Sequence, residues 1–194
     1  MNRVILASAS PRRRELLSSV CDSFEIITAP TDESLENGVH PRDAVEILAI
    51  RKGRAVLDAK DGISDCIVIS SDTLVEMDGI PLGKPRDESE AYSMLSRLSG
   101  RGHNVHTGIA IHYKGGCVSG VATTEVRFRK LSESEIKAYI DSGDPMDKAG
   151  AYGIQSGAGK FVEEISGDFD TVVGFSIRLL RSLLSAIGKE DILC

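Results

Sequence analysis

The chain has 194 residues, enough for one sizeable hydrophobic core, and we expect residues 1–194 to form a single domain. Its formal net charge is -6 at pH 7, which argues against a broad basic surface for a nucleic acid polymer but allows a local basic pocket for a small anion. The four cysteines are scattered without metal-ligand spacing, so the sequence disfavours both a zinc site and a disulfide framework.

The amino-terminal region predicts a strand that leads directly into a helix. Residues 4–7 form an apolar run too short for a signal peptide, and no run approaches a membrane span, so we expect a cytoplasmic protein without a membrane partner. Ser10 is placed to cap a helix that begins at Pro11. The arginines at 12–14 then lie in the first helical turn, where backbone N–H groups and guanidinium groups together favour a phosphate. A solvated basic turn is the alternative, and spacing does not separate the two.

Two further regions offer charged side chains for such a site. Asp32 and Glu33 follow a predicted second strand at 24–29. A carboxylate pair in a loop is usually solvated, but next to a phosphate site it can hold Mg²⁺ or Mn²⁺ through oxygen ligands. Pro41 begins a long predicted helix, and Lys52 lies on its apolar stripe. The Lys52 ammonium either extends to the rim of the core or reaches a phosphate.

The most informative stretch is residues 66–75, where a β-branched apolar run predicts a buried strand that ends in Ser-Ser-Asp-Thr. A carboxylate at the carboxyl end of such a strand points into the crevice where open α/β sheets bind ligands. Asp72 is therefore the candidate for the chemical centre, the alternative being that it only caps a turn. Farther on, Lys84 stands between Gly83 and Pro85, which restrict the backbone and hold its charge in place.

The second half of the chain predicts a long antiparallel hairpin. Polar and apolar residues alternate through residues 105–113 and again through 121–128, with a glycine turn between the two runs. Three histidines lie in or beside this hairpin without the spacing of a metal motif, so we assign them to structure or to the surface: His103, His106 and His112.

A glycine-rich stretch at residues 147–155 is the second candidate for ligand contact. Its small residues let a backbone approach a ligand closely, Lys148 offers a charge, and Gln155 offers a donor and an acceptor suited to the edge of a base. An ordinary glycine-rich turn is the alternative. A P-loop is excluded at Lys160, because Phe161 stands where that motif has Ser or Thr.

Read in chain order, five short motifs resemble those of the Maf family. They are Ser-Ala-Ser-Pro-Arg-Arg from residue 8, Ser-Asp-Thr from residue 71, Gly-Lys-Pro from residue 83, Gly-His and Thr-Gly at residues 102 and 107, and the stretch 147–155. The resemblance covers nearly the whole chain. It implies an α/β fold with a mixed twisted sheet and flanking helices, in two lobes around a deep cleft, similar to inosine triphosphate pyrophosphatases. The resemblance also implies that the protein forms a homodimer and that it is a metal-dependent nucleoside triphosphate pyrophosphatase.

The resemblance further implies that Asp72 accepts a proton and that Arg12, Thr73 and Gln155 set substrate choice. This combination resembles the subgroup that acts on dTTP and UTP. A modified purine nucleotide such as 7-methyl-GTP, and a nucleotide-binding regulator of cell division, remain alternatives. The residues expected to bind the phosphates are Ser8, Arg13, Lys52, Lys84 and Lys148, and those expected to hold the Mg²⁺ or Mn²⁺ ion are Glu33 and Asp72.

Two positions depart from the pattern of the family. Gly53 follows Lys52 where alanine is more usual, and Gly174-Phe175-Ser176 stands where Gly-Leu-Pro is usual. We expect neither departure to touch the proposed chemistry, although the second could alter the cleft floor or a subunit contact.

Overall fold

A computed structural model describes residues 3–59 and 66–194. The strands in these residues are β1 (Arg3–Leu6), β2 (Glu25–Ile26), β3 (Cys66–Met77), β4 (Ile80–Leu82), β5 (Gly102–Tyr113), β6 (Gly116–Phe128) and β7 (Val162–Ser166). The α-helices are α1 (Pro11–Ser18), α2 (Pro41–Asp58), α3 (Glu88–Leu98), α4 (Glu133–Asp141), α5 (Phe169–Val173) and α6 (Ile177–Ala186). None of the described helices is both long enough and apolar enough to cross a membrane.

The strands form one mixed sheet in the order β2-β1-β3-β5-β6-β7, with β4 paired to β3. β1 pairs in parallel with β2 and β3, whereas the β3–β4 and β6–β7 pairs are antiparallel. The predicted mixed sheet with flanking helices is therefore confirmed. The predicted hairpin is also present as β5 and β6, neighbouring strands joined by a turn at residues 114–115.

The chain divides into two compact units. Unit 1 contains the described residues up to Asp72 together with Thr107–Ala122 and Gly174–Cys194. Unit 2 contains Thr73–His106 and Thr123–Val173. Each unit buries its own apolar side chains, which is the main source of its stability.

The core of unit 1 joins the strands to the first and last helices. Its fully buried members include Leu6, Leu17, Ile69 and Phe175. The core of unit 2 is aromatic at its centre, where Phe128 packs edge-on against Tyr152 with ring centroids 4.9 Å apart. Such edge-to-face pairs add about 0.5–1.5 kcal/mol to the contribution of buried area.

Strand β3 extends farther than the sequence predicts. It continues to Met77, so Asp72 lies inside the strand, and the predictions that the strand ends there or that Asp72 caps a turn are wrong. The reason is that β4 and β5 go on pairing with β3 after β1 has ended. The parallel register of β1 stops at Leu6 opposite Ile69, so Asp72 lies just beyond the carboxyl end of its parallel neighbour.

The second strand, in contrast, is shorter than predicted, since only Glu25–Ile26 pairs with β1. The three histidines are buried and hydrogen-bonded within their own units. His103 contacts the Tyr152 hydroxyl at 2.8 Å, His106 contacts Thr123 at 2.8 Å, and His112 contacts the carbonyl of Ile50 at 3.0 Å. Their assignment to structure is consistent with these contacts.

The helix starts follow the local capping signals. Ser132 and Glu135 form a reciprocal capping box at the start of α4. Ser10 occupies the N-cap position of α1, but its side chain makes no cap hydrogen bond to that helix in the described structure. Helix α2 begins at Pro41, as predicted, behind His40.

The turn at residues 174–176 has a clear structural basis. Gly174 has a φ of +116°, Phe175 is fully buried in the core of unit 1, and the Ser176 hydroxyl accepts a hydrogen bond from Leu179 N at 3.2 Å to cap α6. A serine N-cap here begins the helix, a function that a proline at a first helical position also serves.

The other departure, Gly53, marks a close approach of α2 to the sheet. A Cβ atom added at Gly53 would lie 2.4 Å from the His112 imidazole and 2.7 Å from the Ser70 hydroxyl. Both distances are shorter than non-bonded atoms tolerate. The helix turn that carries Lys52 thus packs on the sheet only because residue 53 has no side chain.

We predict that Gly53→Ala destabilises the protein by about 1–3 kcal/mol, the usual cost of overpacking. The sign is informative because Gly→Ala inside a helix ordinarily stabilises by about 0.5–1 kcal/mol. The measurement is the free energy of unfolding in urea for the wild type, Gly53→Ala, His112→Ala and the double variant, which together form a double-mutant cycle. The cost of Gly53→Ala should fall in the His112→Ala background, and an unchanged cost would contradict the proposed clash.

Candidate active site

The centre of the site is a lysine shared by two carboxylates. The Lys52 ammonium, on α2, lies 2.5 Å from Asp72 Oδ1 and 2.8 Å from Glu33 Oε1. The side chains of Asp72 and Lys52 are only 11% and 20% exposed, whereas that of Glu33 is 61% exposed. Because removing a charge from water is costly, the buried Asp72 carboxylate requires this cation nearby.

Arg13 ties three segments of unit 1 together. Its Nε donates to the carbonyl of Gly174 at 3.0 Å, and its Nη1 donates to the carbonyl of Ser71 at 2.7 Å and to the Ser8 hydroxyl at 3.4 Å. Burial lowers the pKa of Arg13, while the nearby Asp72 opposes that shift. Since an arginine stays protonated in proteins, the guanidinium remains a positive charge within the site.

The Ser71 side chain donates to the same carbonyl of Gly174, at 3.1 Å. The turn at residues 174–176 therefore supports both the residue before Asp72 and the Arg13 guanidinium. Gly174 is common to this chain and to the family pattern, whereas the two residues that depart from the pattern, Phe175 and Ser176, pack in the core and cap α6. The expectation that the departure itself lies away from the proposed chemistry stays a prediction.

A cavity of about 180 Å³ lies at this end of unit 1. It is lined by Ala7, Ser8, Ala9, Arg13, Thr28, Ala29, Thr31, Glu33 and Lys52. The start of α1 lies at the same place, where helical N–H groups favour an anion. The cavity thus combines cationic and hydroxyl groups with one carboxylate, a set that suits a phosphate-bearing ligand.

Sequence reasoning missed part of this lining. Thr28, Ala29 and Thr31 follow β2, whose carboxyl end neighbours that of β1 in a parallel pair. The rule that ligands bind beyond the carboxyl ends of parallel strands would have selected these residues as well as Ser8. The rule could not be applied from the sequence, because the apolar run around β2 is too short to show where that strand ends.

The structure brings five predicted residues together in unit 1: Ser8, Arg13, Glu33, Lys52 and Asp72. Arg12, also in unit 1, lies next to Arg13 in the first turn of α1 and is half-buried. The other predicted residues, Thr73, Lys84, Lys148 and Gln155, belong to unit 2.

Within unit 2, Lys84 and Gln155 are exposed, but Lys148 is engaged by its neighbours. The Lys148 ammonium lies 2.7 Å from Asp147 Oδ1 and 3.1 Å from Asp144 Oδ1, and its side chain is 10% exposed. Two carboxylates thus pair with the Lys148 ammonium, as two do with Lys52 in unit 1. The phosphate-binding role of Lys148 therefore stays a prediction, as do the roles of the other site residues.

The carboxylates of unit 1 fit one kind of metal site. Among residues 3–59 and 66–194, no group of three or more His, Cys, Asp or Glu side chains is arranged to hold a metal ion. Glu33 and Asp72 nevertheless converge on one cation, the Lys52 ammonium. Mg²⁺ is commonly bound by one or two carboxylates together with substrate phosphates. The pair therefore suits an ion that is completed by nucleotide oxygens rather than one enclosed by protein alone.

The fold has a counterpart among solved structures. The Ham1 protein of Staphylococcus aureus superposes with a TM-score of 0.55, covering 96% of this chain and 100% of that chain at 15% identity. At this identity the likeness concerns the fold alone. The fold and the cavity together define an α/β protein of Ham1-like architecture with a cavity in unit 1 that is lined by Arg13 and Lys52.

The chain belongs to the Maf family. The sequence profile of the family described as "Maf-like protein" matches residues 3–187, which confirms the resemblance seen in the five motifs.

Relatives named "dTTP/UTP pyrophosphatase" match over most of their length. The protein of Thermococcus gammatolerans is 50% identical, covering 93% of this chain and 94% of that relative. Those of Bacillus cereus strain AH187 and Hahella chejuensis are 47% and 45% identical, covering 94% and 96% of this chain and 95% and 92% of the relatives.

We predict that Arg13→Ala lowers the free energy of unfolding by about 2–4 kcal/mol, because buried acceptors lose hydrogen bonds from a charged donor. Arg14→Ala, an exposed change in the same helical turn, should cost less than about 0.5 kcal/mol. Chemical denaturation of both variants measures the difference. Equal losses for the two arginines would show that the contacts of Arg13 do not support the fold.

Proposed function

We propose that this protein hydrolyses nucleoside triphosphates, with dTTP and UTP as its substrates, to the nucleoside monophosphate and pyrophosphate. The observation that carries the proposal is the charge arrangement of unit 1, in which Asp72 and Glu33 share the Lys52 ammonium beside a cavity lined by Arg13 and Ser8. The names of the relatives support the same class of enzyme.

In the proposed reaction, a water oxygen attacks the α-phosphorus and the bond from that phosphorus to the α,β-bridging oxygen breaks. Pyrophosphate leaves with the bonding electron pair. Asp72 accepts the proton of the attacking water, acting as general base. Its carboxylate is held by the Lys52 ammonium at 2.5 Å, so its oxygen is fixed before the substrate arrives.

The cations of unit 1 stabilise the charge that develops on the phosphates. Arg13 is fixed by backbone carbonyls of Ser71 and Gly174, so its positive charge is held on a rigid support. Ser8 and the first turn of α1 supply neutral donors. Stabilisation by preorganised donors needs no covalent intermediate.

Glu33 and Asp72 are the residues that would hold a divalent ion, Mg²⁺ or Mn²⁺. When bound, such an ion polarises phosphoryl oxygens and lowers the pKa of bound water. The Lys52 ammonium, which faces both carboxylates, would also neutralise part of the charge of the phosphates.

Choice of base is assigned to Arg12, Thr73 and Gln155. A glutamine amide both donates and accepts, as recognition of the N3–H and carbonyl groups of uracil or thymine requires. The proposed cellular role is to limit non-standard or excess nucleotides in the cytoplasm, and the proposed assembly is a homodimer.

We predict metal-dependent pyrophosphate release from dTTP and UTP. The measurement is a panel of dTTP, UTP, CTP, 7-methyl-GTP, ITP and ATP, each with Mg²⁺ or Mn²⁺ and with a chelator as control. Release from a purine nucleotide alone would overturn the assigned substrates but keep the reaction. Saturable binding without release would favour a nucleotide-binding regulator instead.

We also predict that Asp72→Asn lowers kcat by about 10²–10⁴-fold, the usual contribution of a general base. The amide keeps the shape of the carboxylate, so the fold should be retained, which circular dichroism and thermal unfolding check. Asp43→Asn, an exposed change in the first turn of α2, is the matched control and should leave kcat unchanged. Wild-type turnover in Asp72→Asn would remove Asp72 from its proposed role.

A further inference from the structure

A short turn in unit 2 presents Gln155 to solvent, and its two ends are held by one carboxylate. Gln155 is exposed and lies between Gly153 and Ser156. The carboxylate belongs to Asp144, in the 3-10 turn that follows α4.

Asp144 Oδ2 accepts two hydroxyl hydrogen bonds, from Tyr139 and from Ser156, each at 2.5 Å. Asp144 Oδ1 faces the Lys148 ammonium at 3.1 Å, and the same ammonium donates to the Asp144 carbonyl at 2.6 Å. Although burial acts in the opposite direction, the hydrogen bonds from Ser156, Tyr139 and Lys148 lower the pKa of Asp144. The group is therefore an anion at neutral pH, and its partners are all donors.

The Tyr139 hydroxyl connects Asp144 to Gly153, at the start of the turn. Burial, together with the hydrogen bond to Asp144, raises the pKa of Tyr139, so the phenol keeps its proton. The Tyr139 hydroxyl donates this proton in a hydrogen bond to Asp144. The Tyr139 oxygen in turn accepts a hydrogen bond from Gly153 N at 3.1 Å. The ring of Tyr139 is itself fixed edge-on against Phe161, with centroids 5.3 Å apart.

Ser156 closes the turn from the other side. Its backbone N–H donates to the carbonyl of Gly153 at 3.2 Å, while its hydroxyl donates to Asp144. A hydroxyl has one proton, so the short bond to the charged carboxylate takes it in preference to the Gly153 carbonyl at 3.0 Å. The N–H and the carbonyl of Gly153, and the N–H and the hydroxyl of Ser156, are thus all hydrogen-bonded.

The packing leaves little room for another arrangement. A Cβ atom at Gly153 would lie 2.6 Å from the Ser156 hydroxyl and 2.7 Å from Cε of Lys148. A Cβ atom at Gly159 would lie 2.8 Å from the carbonyl of Ile154. The turn is closely packed on both sides, so its shape depends on the Asp144 contacts and on glycine at these two positions.

We propose that Asp144 is a positioning residue for base selection, which fixes the turn that presents Gln155 through Tyr139, Ser156 and Lys148. This inference rests on the proposed function, because it concerns the base of the same substrate. A rigid turn holds the Gln155 amide at one distance and orientation, which favours the one base edge that matches it. A loosened turn lets the amide adapt to other bases, so discrimination falls more than turnover.

The test compares kcat/KM for UTP and for CTP in the wild type, Asp144→Asn and Ser156→Ala. In both variants we expect the UTP:CTP ratio to fall by about tenfold, the effect of losing one hydrogen bond to a charged group. The loss should lie mainly in KM for UTP. Inhibition by inorganic triphosphate, which has no base, should keep its wild-type constant within about twofold.

Two variants serve as controls. Asp141→Asn removes an exposed carboxylate at the end of α4 and should leave the ratio unchanged. Ser156→Thr retains the hydroxyl and should restore most of the ratio that Ser156→Ala loses. If Asp144→Asn fails to fold, the exposed Ser156 variants still decide the question.

The outcomes separate this inference from the proposed function. A wild type that releases no pyrophosphate from any nucleotide overturns both. An active wild type whose UTP:CTP ratio is the same in folded Asp144→Asn and Ser156→Ala overturns the positioning role alone. Equal losses for UTP, CTP and inorganic triphosphate also overturn it, because they would show a general effect on binding.

Discussion

Unit 1 depends on the placement of one positive charge. The Asp72 side chain is only 11% exposed, and removing a carboxylate from water is costly unless a partner cation lies nearby. Lys52 provides that cation and also faces Glu33, so a single ammonium serves two carboxylates. Such a pair is weak evidence for stability, since desolvation offsets most of the attraction. Its value here is chemical, because it fixes the Asp72 carboxylate next to Lys52, which lines the cavity of unit 1.

The supports of this charge come from distant parts of the chain. Helix α2 can bring Lys52 close to the sheet because Gly53 leaves room for His112. Arg13 is held by Ser71 and by Gly174, which lie 58 and 161 positions farther along the chain. One departure from the family pattern, Gly53, is therefore adjacent to Lys52, whereas the other follows Gly174 in a turn that supports Arg13.

Unit 2 also contains a partly buried carboxylate paired with a lysine, but here the pair lies beside a turn. Asp144 is a partly buried carboxylate whose partners are Lys148 and two hydroxyls, and they hold a turn rather than a reacting group. Each of the two lysines faces two carboxylates, Asp144 and Asp147 for Lys148 and Glu33 and Asp72 for Lys52. The two arrangements therefore differ in the proposed role of the carboxylates and not in their number.

The sequence by itself determined the features that depend on near neighbours. Periodicity predicted the long helix that carries Lys52, a proline and a serine predicted the start of α1, and alternation predicted the β5–β6 hairpin. Five motifs in order identified the family and, with it, the candidate residues. These signals are local because helix caps, turns and side-chain alternation are set within a few residues.

Only the tertiary structure decided which charges meet. It placed Asp72 within β3 rather than at its end, because pairing with β4 and β5 continues past the end of β1. It also assigned backbone carbonyls to Arg13 and the carboxylate of Asp144 to Lys148 and Ser156. Contacts of this kind depend on strand pairing and packing between distant segments, which leave no pattern in the sequence of either partner.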